Sequence, residues 1–234
     1  MSSRQHDGTS RRSPGRALLL VAAGTVLTTA FAVVACRAEP APDFGGPSVT
    51  GLASPSRPPV ASVPVPRSPG PRVPVTDGGL PAAADEAPAR LRIPSLGLDV
   101  TVDAVGIDPA TGDFAVPPSV DRVGWYRFGP GAAARAGSIV IAGHVDSAAE
   151  GEGAFFRLGA LDDGDRVTLT GPDGRDRRFT VIARERYRKT AVPLEKYFAR
   201  TGDVRLTLIT CGGPFDAATR HYRDNVVVTA VPRE

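Results

Sequence analysis

The sequence predicts an all-β fold, a closed or nearly closed barrel of about eight strands, over residues 89–234. Short runs rich in Val, Ile, Leu and Thr recur there at even spacing, and Gly, Pro and Asp residues separate them. Helical segments are few, and each covers only a couple of turns. The region holds about 145 residues, which is enough to form one hydrophobic core.

Eight runs have the length and composition of strands. In chain order they are Leu91–Ile93, Val100–Ile107, Gly124–Arg127, Ser138–Ala142, Arg166–Thr170, Arg178–Tyr187, Val204–Thr210 and Asn225–Val231. Residues 171–174 have the chemistry of a hairpin turn. Ser138–Ala142 and Val204–Thr210 are nearly continuous in apolar residues and Thr, so we expect both to lie centrally, with cover on both faces. The two helical segments are Ala154–Leu161 and Leu194–Ala199.

Residues 17–35 form an uncharged run of 19 residues, which at about 1.5 Å per residue can cross the hydrocarbon core of a bilayer as a helix. Four arginines and one aspartate precede it, within residues 1–16. The positive-inside rule places residues 1–16 in the cytoplasm and everything after the run outside. We interpret residues 17–35 as a transmembrane signal-anchor of a single-pass protein of the cell membrane, with an extracytoplasmic C-terminal domain.

Two alternatives remain open for the N-terminal region. The sequence VVAC, which ends at Cys36, loosely resembles a lipoprotein cleavage box. Cys36 would then be a lipid attachment point, and the domain would again be tethered outside. The sequence SRR at residues 10–12 weakly resembles a twin-arginine signal, although Pro14 and Gly15 follow where that motif has apolar residues.

A proline-rich segment separates the membrane run from the barrel. Residues 37–90 contain 13 of the 23 prolines and show no apolar period of 2 or 3.6. Such a composition cannot bury enough apolar surface to offset the entropy lost on ordering. We therefore predict an extended, partly polyproline linker over residues 36–88.

The formal net charge of +3 comes from the N-terminal segment. Beyond residue 16 the chain has 24 basic and 24 acidic residues. A nucleic-acid-binding protein needs a basic patch or stripe, and this composition gives no sign of one. We predict no nucleic-acid partner.

Three strand ends carry reactive residue types. Cys211 follows an apolar strand and has no disulfide partner, since the other cysteine adjoins the membrane run. His144 follows a second apolar strand, and Arg223 begins the last one. Gly143 and Gly212-Gly213 would let the backbone turn sharply where the strands stop, which places these side chains at a rim.

These residue types together suit acyl transfer by a thiol. Such a reaction needs a thiolate nucleophile, a group that moves a proton to the leaving amine, and a donor that stabilises the oxyanion. Cysteine, histidine and arginine can supply the three. His221 competes with His144, but it lies in a polar segment that we expect to be an exposed loop, and Arg220 is the nearest competitor of Arg223.

The sequence TLITC, which ends at Cys211, resembles the TLxTC signature of the sortases, cysteine transpeptidases that attach proteins to the walls of Gram-positive bacteria. His144, after a glycine at a strand end, resembles the sortase histidine. Arg223, 12 residues after the cysteine, resembles the sortase arginine. The resemblance covers residues 89–234, and the signal-anchor, the linker and the sequence CGGPF are most similar to class F sortases of actinobacteria.

This resemblance implies a groove that binds a C-terminal sorting peptide of the LPxTG type. Cys211 would attack the Thr–Gly carbonyl and hold the acyl fragment as a thioester. His144 would protonate the departing amine and later take a proton from the incoming one. Arg223 would hold the oxyanion and the substrate backbone, and Thr210 would support substrate binding beside the nucleophile. The acceptor would be an amine, by analogy a peptidoglycan precursor.

No metal or cofactor is predicted, because the acidic residues that bind calcium in some class A sortases have no clear counterparts here. Asp146 could orient His144 or be an exposed loop acid, and Glu150–Glu152 reads as solvated loop. Two other functions remain open. One is an L,D-transpeptidase, although its SHGC-like sequence is absent, and the other is a non-catalytic tethered β-module in which Cys211 is simply packed.

Overall fold

The computed structural model of the chain describes residues 41–53, 86–109 and 114–233. Within these ranges, no helix has the length and apolar character needed to cross a bilayer. The predicted membrane segment at residues 17–35 and most of the predicted linker lie outside the described residues.

Eight strands form a closed barrel, which confirms the predicted fold class. They are β1 (Arg90–Ile93), β2 (Leu98–Val105), β3 (Val123–Tyr126), β4 (Ser138–Gly143), β7 (Arg166–Thr170), β8 (Asp176–Arg188), β9 (Arg205–Asp216) and β10 (His221–Pro232). The order around the barrel is β1-β2-β3-β4-β9-β10-β8-β7, and β7 pairs with β1 to close it. A separate small sheet pairs β5 (Asp146–Ser147) with β6 (Gly151–Glu152).

The barrel interior is filled by alternate residues of the strands, as the period of two requires. Leu91 and Ile93 of β1, for example, point inward while their neighbours are exposed. All six residues of β4 are buried, so the prediction that this strand is covered on both faces is confirmed. Strand β4 also pairs in parallel with β9, which brings the carboxyl ends of both strands to the same edge of the barrel.

Strands β9 and β10 extend further than the sequence suggested. The prediction ended the strand near Thr210, but pairing continues to Asp216 and His221. The reason is a β-bulge: residues 213 and 214 of β9 lie opposite one residue of β10, and Gly213 adopts a φ of 72°. The sharp turn predicted at Gly212-Gly213 is instead this bulge. Residues 212–224 form a projecting part of the hairpin, which we call the β9–β10 extension.

The helical predictions are only partly confirmed. Ala154–Leu161 contains no α-helix and holds a single 3-10 turn at Leu158–Ala160. A short helix, here α2, covers Leu194–Tyr197 within the second predicted segment. Two further 3-10 turns follow β1 and β8, at Pro94–Leu96 and Lys189–Ala191.

The linker prediction is wrong for residues 42–53, which pack against the barrel. Helix α1 (Gly46–Ala53) places Val49 fully in a small hydrophobic cluster on the outer face. Phe44 exchanges two backbone hydrogen bonds with Arg184, at 2.9 and 3.0 Å. The Arg184 guanidinium, 2% exposed, lies over the Phe44 ring and donates to the Pro42 carbonyl. Two apolar anchors and a buried arginine therefore hold this segment despite its composition.

A buried polar group lies beneath α1. Glu185 accepts hydrogen bonds from the hydroxyls of Tyr187 (2.7 Å) and Tyr197 (2.6 Å). Lys196 Nζ lies 2.9 Å from each of the two carboxylate oxygens of Glu185. Lys196 also reaches the Gly46 carbonyl of α1, at 3.4 Å. We call Glu185, Tyr187, Lys196 and Tyr197 the Glu185 cluster. It joins β8, α2 and the N-terminal segment.

Candidate active site

Cys211 lies within β9, where the strand passes from the barrel into the β9–β10 extension. It pairs with Asn225 of β10. Ile209 packs against the cluster on the outer face, so Cys211, two residues further along, also faces away from the barrel interior. Its side chain is half-buried and forms no disulfide. The thiol therefore belongs to neither buried core cluster and remains accessible.

His144 follows β4 directly, as the sequence predicted. Its backbone carbonyl accepts the N–H of Phe155 at 3.0 Å, and Gly153 passes so close that a Cβ there would collide with this carbonyl. The ring Nε2 lies 2.8 Å from the Pro117 carbonyl oxygen. Because a carbonyl can only accept, Nε2 donates, and Nδ1 is the ring nitrogen left for proton exchange.

The parallel register of β4 and β9 brings the cysteine and the histidine together. Ala142 is the last residue of β4 in the ladder, and it pairs with Ile209. His144 and Cys211 both lie two residues beyond that pair. Neighbouring strands are about 4.8 Å apart, so His144, just past the end of β4, lies beside Cys211 on β9. Two residues 67 positions apart in the chain come to neighbouring positions because their strands run in the same direction.

Both side chains line one open cleft of about 670 Å³. Its other lining residues come from the segments after β4 and β8, from the loop before β3 and from the β9–β10 extension; they are Pro118, Val120, Val145, Asp146, Ser147, Ala148, Glu150, Lys189, Phe215, Arg220, His221 and Tyr222. The lining is mixed in polarity and in charge. Such a cleft can accept an extended peptide beside the thiol.

Thr210 links β9 to the end of β4. Its side chain is 5% exposed, and its hydroxyl donates to the Gly143 carbonyl at 2.9 Å. This bond links the residue before the histidine to the residue before the cysteine. The contact with substrate predicted for Thr210 stays a prediction.

Arg223 is near the cysteine but does not line the cleft. Strand alternation places Arg223 on the same face of β10 as Asn225, the partner of Cys211. Its guanidinium is directed away, with Nη2 3.1 Å from Asp216 Oδ2, and its side chain is 53% exposed. Arg220, the competing arginine, does line the cleft and has a left-handed backbone, with φ 58°.

A bond between Tyr222 and Asp146 crosses the cleft. The Tyr222 hydroxyl donates to Asp146 Oδ2. This bond, together with burial and the nearby charges of Asp146 and Cys211, raises the pKa of Tyr222 to about 12. The Tyr222 ring also packs edge-on against Phe215, at 5.2 Å. The loop that follows His144 is thereby tied to the extension that follows Cys211.

Several lining residues differ from their predicted roles. Asp146 contacts Tyr222, and no hydrogen bond between Asp146 and His144 is present in the described structure. His221, expected in a loop, begins β10 and lines the cleft. Phe215 and Tyr222 were not predicted to be cleft residues. A turn was expected at Gly212-Gly213, so the strand alternation was not followed beyond it.

Glu150–Glu152 was predicted to be a solvated loop; these residues are exposed, but Gly151–Glu152 forms strand β6. In the part of the chain that the structure describes, no three or more His, Cys, Asp or Glu side chains are grouped so that they could hold a metal ion.

Comparison with known proteins gives a family. Residues 91–233 match the sortase domain family. No curated protein sequence is similar enough to count as a match. The fold is similar to that of the pilus-related sortase C of Group B Streptococcus, at 13% identity and a TM-score of 0.49, over 64% of this chain and 68% of that one.

Two other sortase structures are similar to a comparable degree. A lid mutant of sortase A from Corynebacterium diphtheriae has 20% identity and a TM-score of 0.48, over 63% of this chain and 70% of that one. Sortase C-1 from Actinomyces oris has 19% identity and a TM-score of 0.47, over 62% and 73%. The resemblance to class F in particular stays a prediction. The domain match spans more than half of the sequence, and the chain therefore belongs to the sortase family, the cysteine transpeptidases.

Proposed function

We propose that this chain is a membrane-anchored sortase. It cleaves an LPxTG-type sorting signal between Thr and Gly and transfers the acyl fragment, through a thioester on Cys211, to an amine acceptor of the cell wall. The observation that carries the proposal is the parallel register of β4 and β9, which sets His144 beside Cys211 at an open cleft.

In the first half of the reaction, the Cys211 thiolate attacks the carbonyl carbon of the scissile Thr–Gly bond. The carbonyl oxygen becomes an oxyanion, and the C–N bond then breaks to leave a thioester. The departing glycine nitrogen needs a proton. His144 supplies it from Nδ1, which has taken the proton of the Cys211 thiol, because Nε2 stays bonded to the Pro117 carbonyl.

Arg223 stabilises the oxyanion in this proposal. Its position on the Cys211 face of β10 supports the role, and the extended side chain can span the diagonal of about 7–8 Å between positions two residues apart on neighbouring strands. To do so the guanidinium leaves Asp216, an exposed contact of 3.1 Å. Solvent screens an exposed ion pair, which contributes little to stability, so substrate binding can replace it.

In the second half, an amine attacks the thioester carbonyl and His144 Nδ1 accepts its proton. The amide product forms as the C–S bond breaks and Cys211 leaves as thiolate. Water can replace the amine, at a lower rate. The acceptor is proposed to be a peptidoglycan precursor, which an extracytoplasmic domain held by residues 17–35 would meet at the membrane.

The test uses the full chain in detergent with a small library of sorting peptides and an added amine such as triglycine. Mass spectrometry should detect the N-terminal fragment joined to the amine, and a smaller amount of the hydrolysed fragment without it. A peptide of the same composition with a scrambled motif is the control. Cleavage of both peptides at the same rate, or of neither, would contradict the proposal.

A further inference from the structure

A row of arginines crosses the outer face of the barrel, far from the cleft. The registers place Arg92 of β1 opposite Thr168 of β7, and Thr168 opposite Arg178 of β8. The backbone N–H of Arg233, just after β10, donates to the Arg178 carbonyl at 3.0 Å. Four neighbouring chain segments thus carry Arg, Thr, Arg and Arg side by side, and Arg166 lies diagonally beside them on β7.

All of these side chains point to solvent. Leu91, Val167 and Phe179, next to them in sequence, are fully buried in the core. Strand alternation therefore turns Arg92, Thr168 and Arg178 outward. The arginines of the row are exposed, so the guanidinium groups are available to a ligand.

Among the described residues, one carboxylate pairs with the row, and it is bonded to Arg92 at the end of the row. Asp176 is the acidic side chain that lines this face, but its Oδ2 accepts from Arg92 at 2.8 Å and its Oδ1 accepts from Thr170 at 2.7 Å. Among the described residues, Arg178 and Arg233 have no ion pair or side-chain hydrogen bond. Like charges directly opposite each other on a sheet are destabilising.

The same face is concave. A cleft of about 770 Å³ is lined by Arg166, Arg178 and Arg233 together with Pro94, Thr168 and Asp176. It shares no residue with the Cys211 cleft. Along β10, Pro232 at this end is seven residues from Asn225, the partner of Cys211, which is about 23 Å at the rise of a strand.

We propose that the three arginines that line this cleft, Arg166, Arg178 and Arg233, bind a linear anion that carries several phosphate groups. Guanidinium groups bind phosphate through paired hydrogen bonds, and their charge offsets that of the ligand. From Arg166 on β7 to Arg233 just after β10, the arginines of the cleft cross two strand spacings, about 10 Å. That length exceeds a single phosphate group, which is why the ligand is assigned more than one.

Electrostatic repulsion between the unpaired arginines destabilises the free protein, and a bound anion would remove it. Without an anion, Arg178 and Arg233 repel each other across the two strands. With phosphate groups between them, both become partners of the same ligand.

The experiment measures binding of tripolyphosphate to the full chain at low ionic strength, by isothermal titration calorimetry. Wild type should show saturable binding that weakens as salt is added. Arg178→Gln and Arg233→Gln should each weaken binding by about tenfold or more, as the loss of a charge-assisted hydrogen bond predicts. Arg175→Gln, in the adjacent turn, is the matched control and should change binding less than about twofold, because an exposed charge outside the site acts only through screened solvent.

Thermal unfolding separates binding from folding. Tripolyphosphate should raise the melting temperature of wild type and of Arg175→Gln, but not that of Arg233→Gln. Without ligand, Arg233→Gln should melt at the same temperature as wild type or higher, since a repulsive contact is lost. Absence of saturable binding, or equal binding by Arg175→Gln and the two row variants, would overturn the proposal.

Two further arms identify the ligand. Inorganic monophosphate at matched phosphate concentration should bind more weakly than tripolyphosphate, and equal binding would contradict the linear ligand. The chain is also reconstituted into phosphatidylcholine vesicles with and without phosphatidylglycerol, where the melting temperature should be the same. A shift that requires phosphatidylglycerol and disappears in Arg178→Gln would assign the row to a membrane surface instead.

Discussion

Two polar groups on the outer side of the barrel differ in how fully their hydrogen bonds are satisfied. In the Glu185 cluster, both carboxylate oxygens are bonded, and both the Glu185 and Lys196 side chains are only 13% exposed. Burial alone would raise the pKa of Glu185, but the hydrogen bonds from Tyr187, Tyr197 and Lys196 outweigh it and hold the pKa below its usual value.

The Cys211 cleft is the opposite case. Within the described structure, the Cys211 thiol has no hydrogen-bond partner, and one ring nitrogen of His144 is left over. The side chains are half-buried and face a cleft open to solvent. Buried polar groups stabilise a fold when every bond is made. Groups that act on a substrate need bonding capacity left free, so the comparison separates a structural cluster from a site of chemistry.

The largest expected effect is from Cys211→Ala. It should abolish peptide cleavage and transfer, because no other described group on the cleft is a thiol. The melting temperature should change little, since the side chain lies outside both core clusters. Cys36→Ala is the matched control and should keep full activity. Product formation is followed by mass spectrometry, and residual transfer by Cys211→Ala would place the nucleophile elsewhere.

Next in size is Arg223→Ala, which should lower kcat/KM by about 10²–10³-fold, the usual cost of losing one oxyanion donor. Arg220→Ala should have a much smaller effect, although Arg220 lines the cleft and Arg223 does not. Steady-state kinetics on both variants decide between them. If Arg220→Ala is the crippled variant, the arginine assignment is wrong.

Glu185→Gln should lower the free energy of unfolding by about 3 kcal/mol, the low end for a buried ion pair that loses one partner, because it leaves the largely buried Lys196 cation without its counter-charge. Chemical denaturation measures this loss, and activity of the folded protein should be retained. The pKa of Glu185 is lowered on folding, so its stabilisation is present above the ordinary value of 4.5 and lost as pH falls through the folded pKa. The difference between variant and wild type should therefore shrink at low pH, and a constant difference would contradict this origin.

Tyr222→Phe should lower kcat/KM by about tenfold, the equivalent of one charge-assisted hydrogen bond, because Asp146 no longer ties the His144 loop to the β9–β10 extension. Tyr187→Phe removes the same atom from the Glu185 cluster and is the control. It should lower stability and leave kcat/KM unchanged. If the two variants behave alike, the distinction between the two regions fails.

The smallest expected effect is a gain. Asp216→Asn keeps an acceptor for the N–H groups of Ala218 and Thr219 but removes the charge that holds Arg223. Freed from this exposed pair, Arg223 should raise kcat/KM by about two- to fivefold. A decrease in kcat/KM would mean that the ion pair supports the active geometry.

The eight strands and the placement of Cys211 and His144 at one cleft were predictable from the sequence. Apolar runs with β-branched residues mark the strands, and glycines mark the end of β4. The continuation of β9 could not be predicted, because Gly-Gly-Pro is typical of a turn. Only its pairing with β10 makes it a bulge. The bond between Asp146 and Tyr222 joins residues 76 positions apart, and no local pattern encodes it.

Helix α1 was missed for a different reason. Its segment has the proline and glycine content of a linker, and its apolar residues Phe44, Val49 and Leu52 are too few to show a period. Arg184, 140 residues after Phe44, supplies the stabilising contact through stacking and backbone acceptors. The composition of a segment predicts whether it folds alone, but it does not predict stabilising contacts with a residue far away in the sequence.

The central claim is that Cys211 carries the acyl group between the two half-reactions. Intact-protein mass spectrometry of the full chain, mixed with an LPxTG peptide and quenched in acid, tests it most directly. The account predicts an added mass equal to the N-terminal fragment, mapped to Cys211 and lost when an amine is supplied before quenching. Product formed with no such adduct at any time point, or an adduct mapped to another residue, would contradict it.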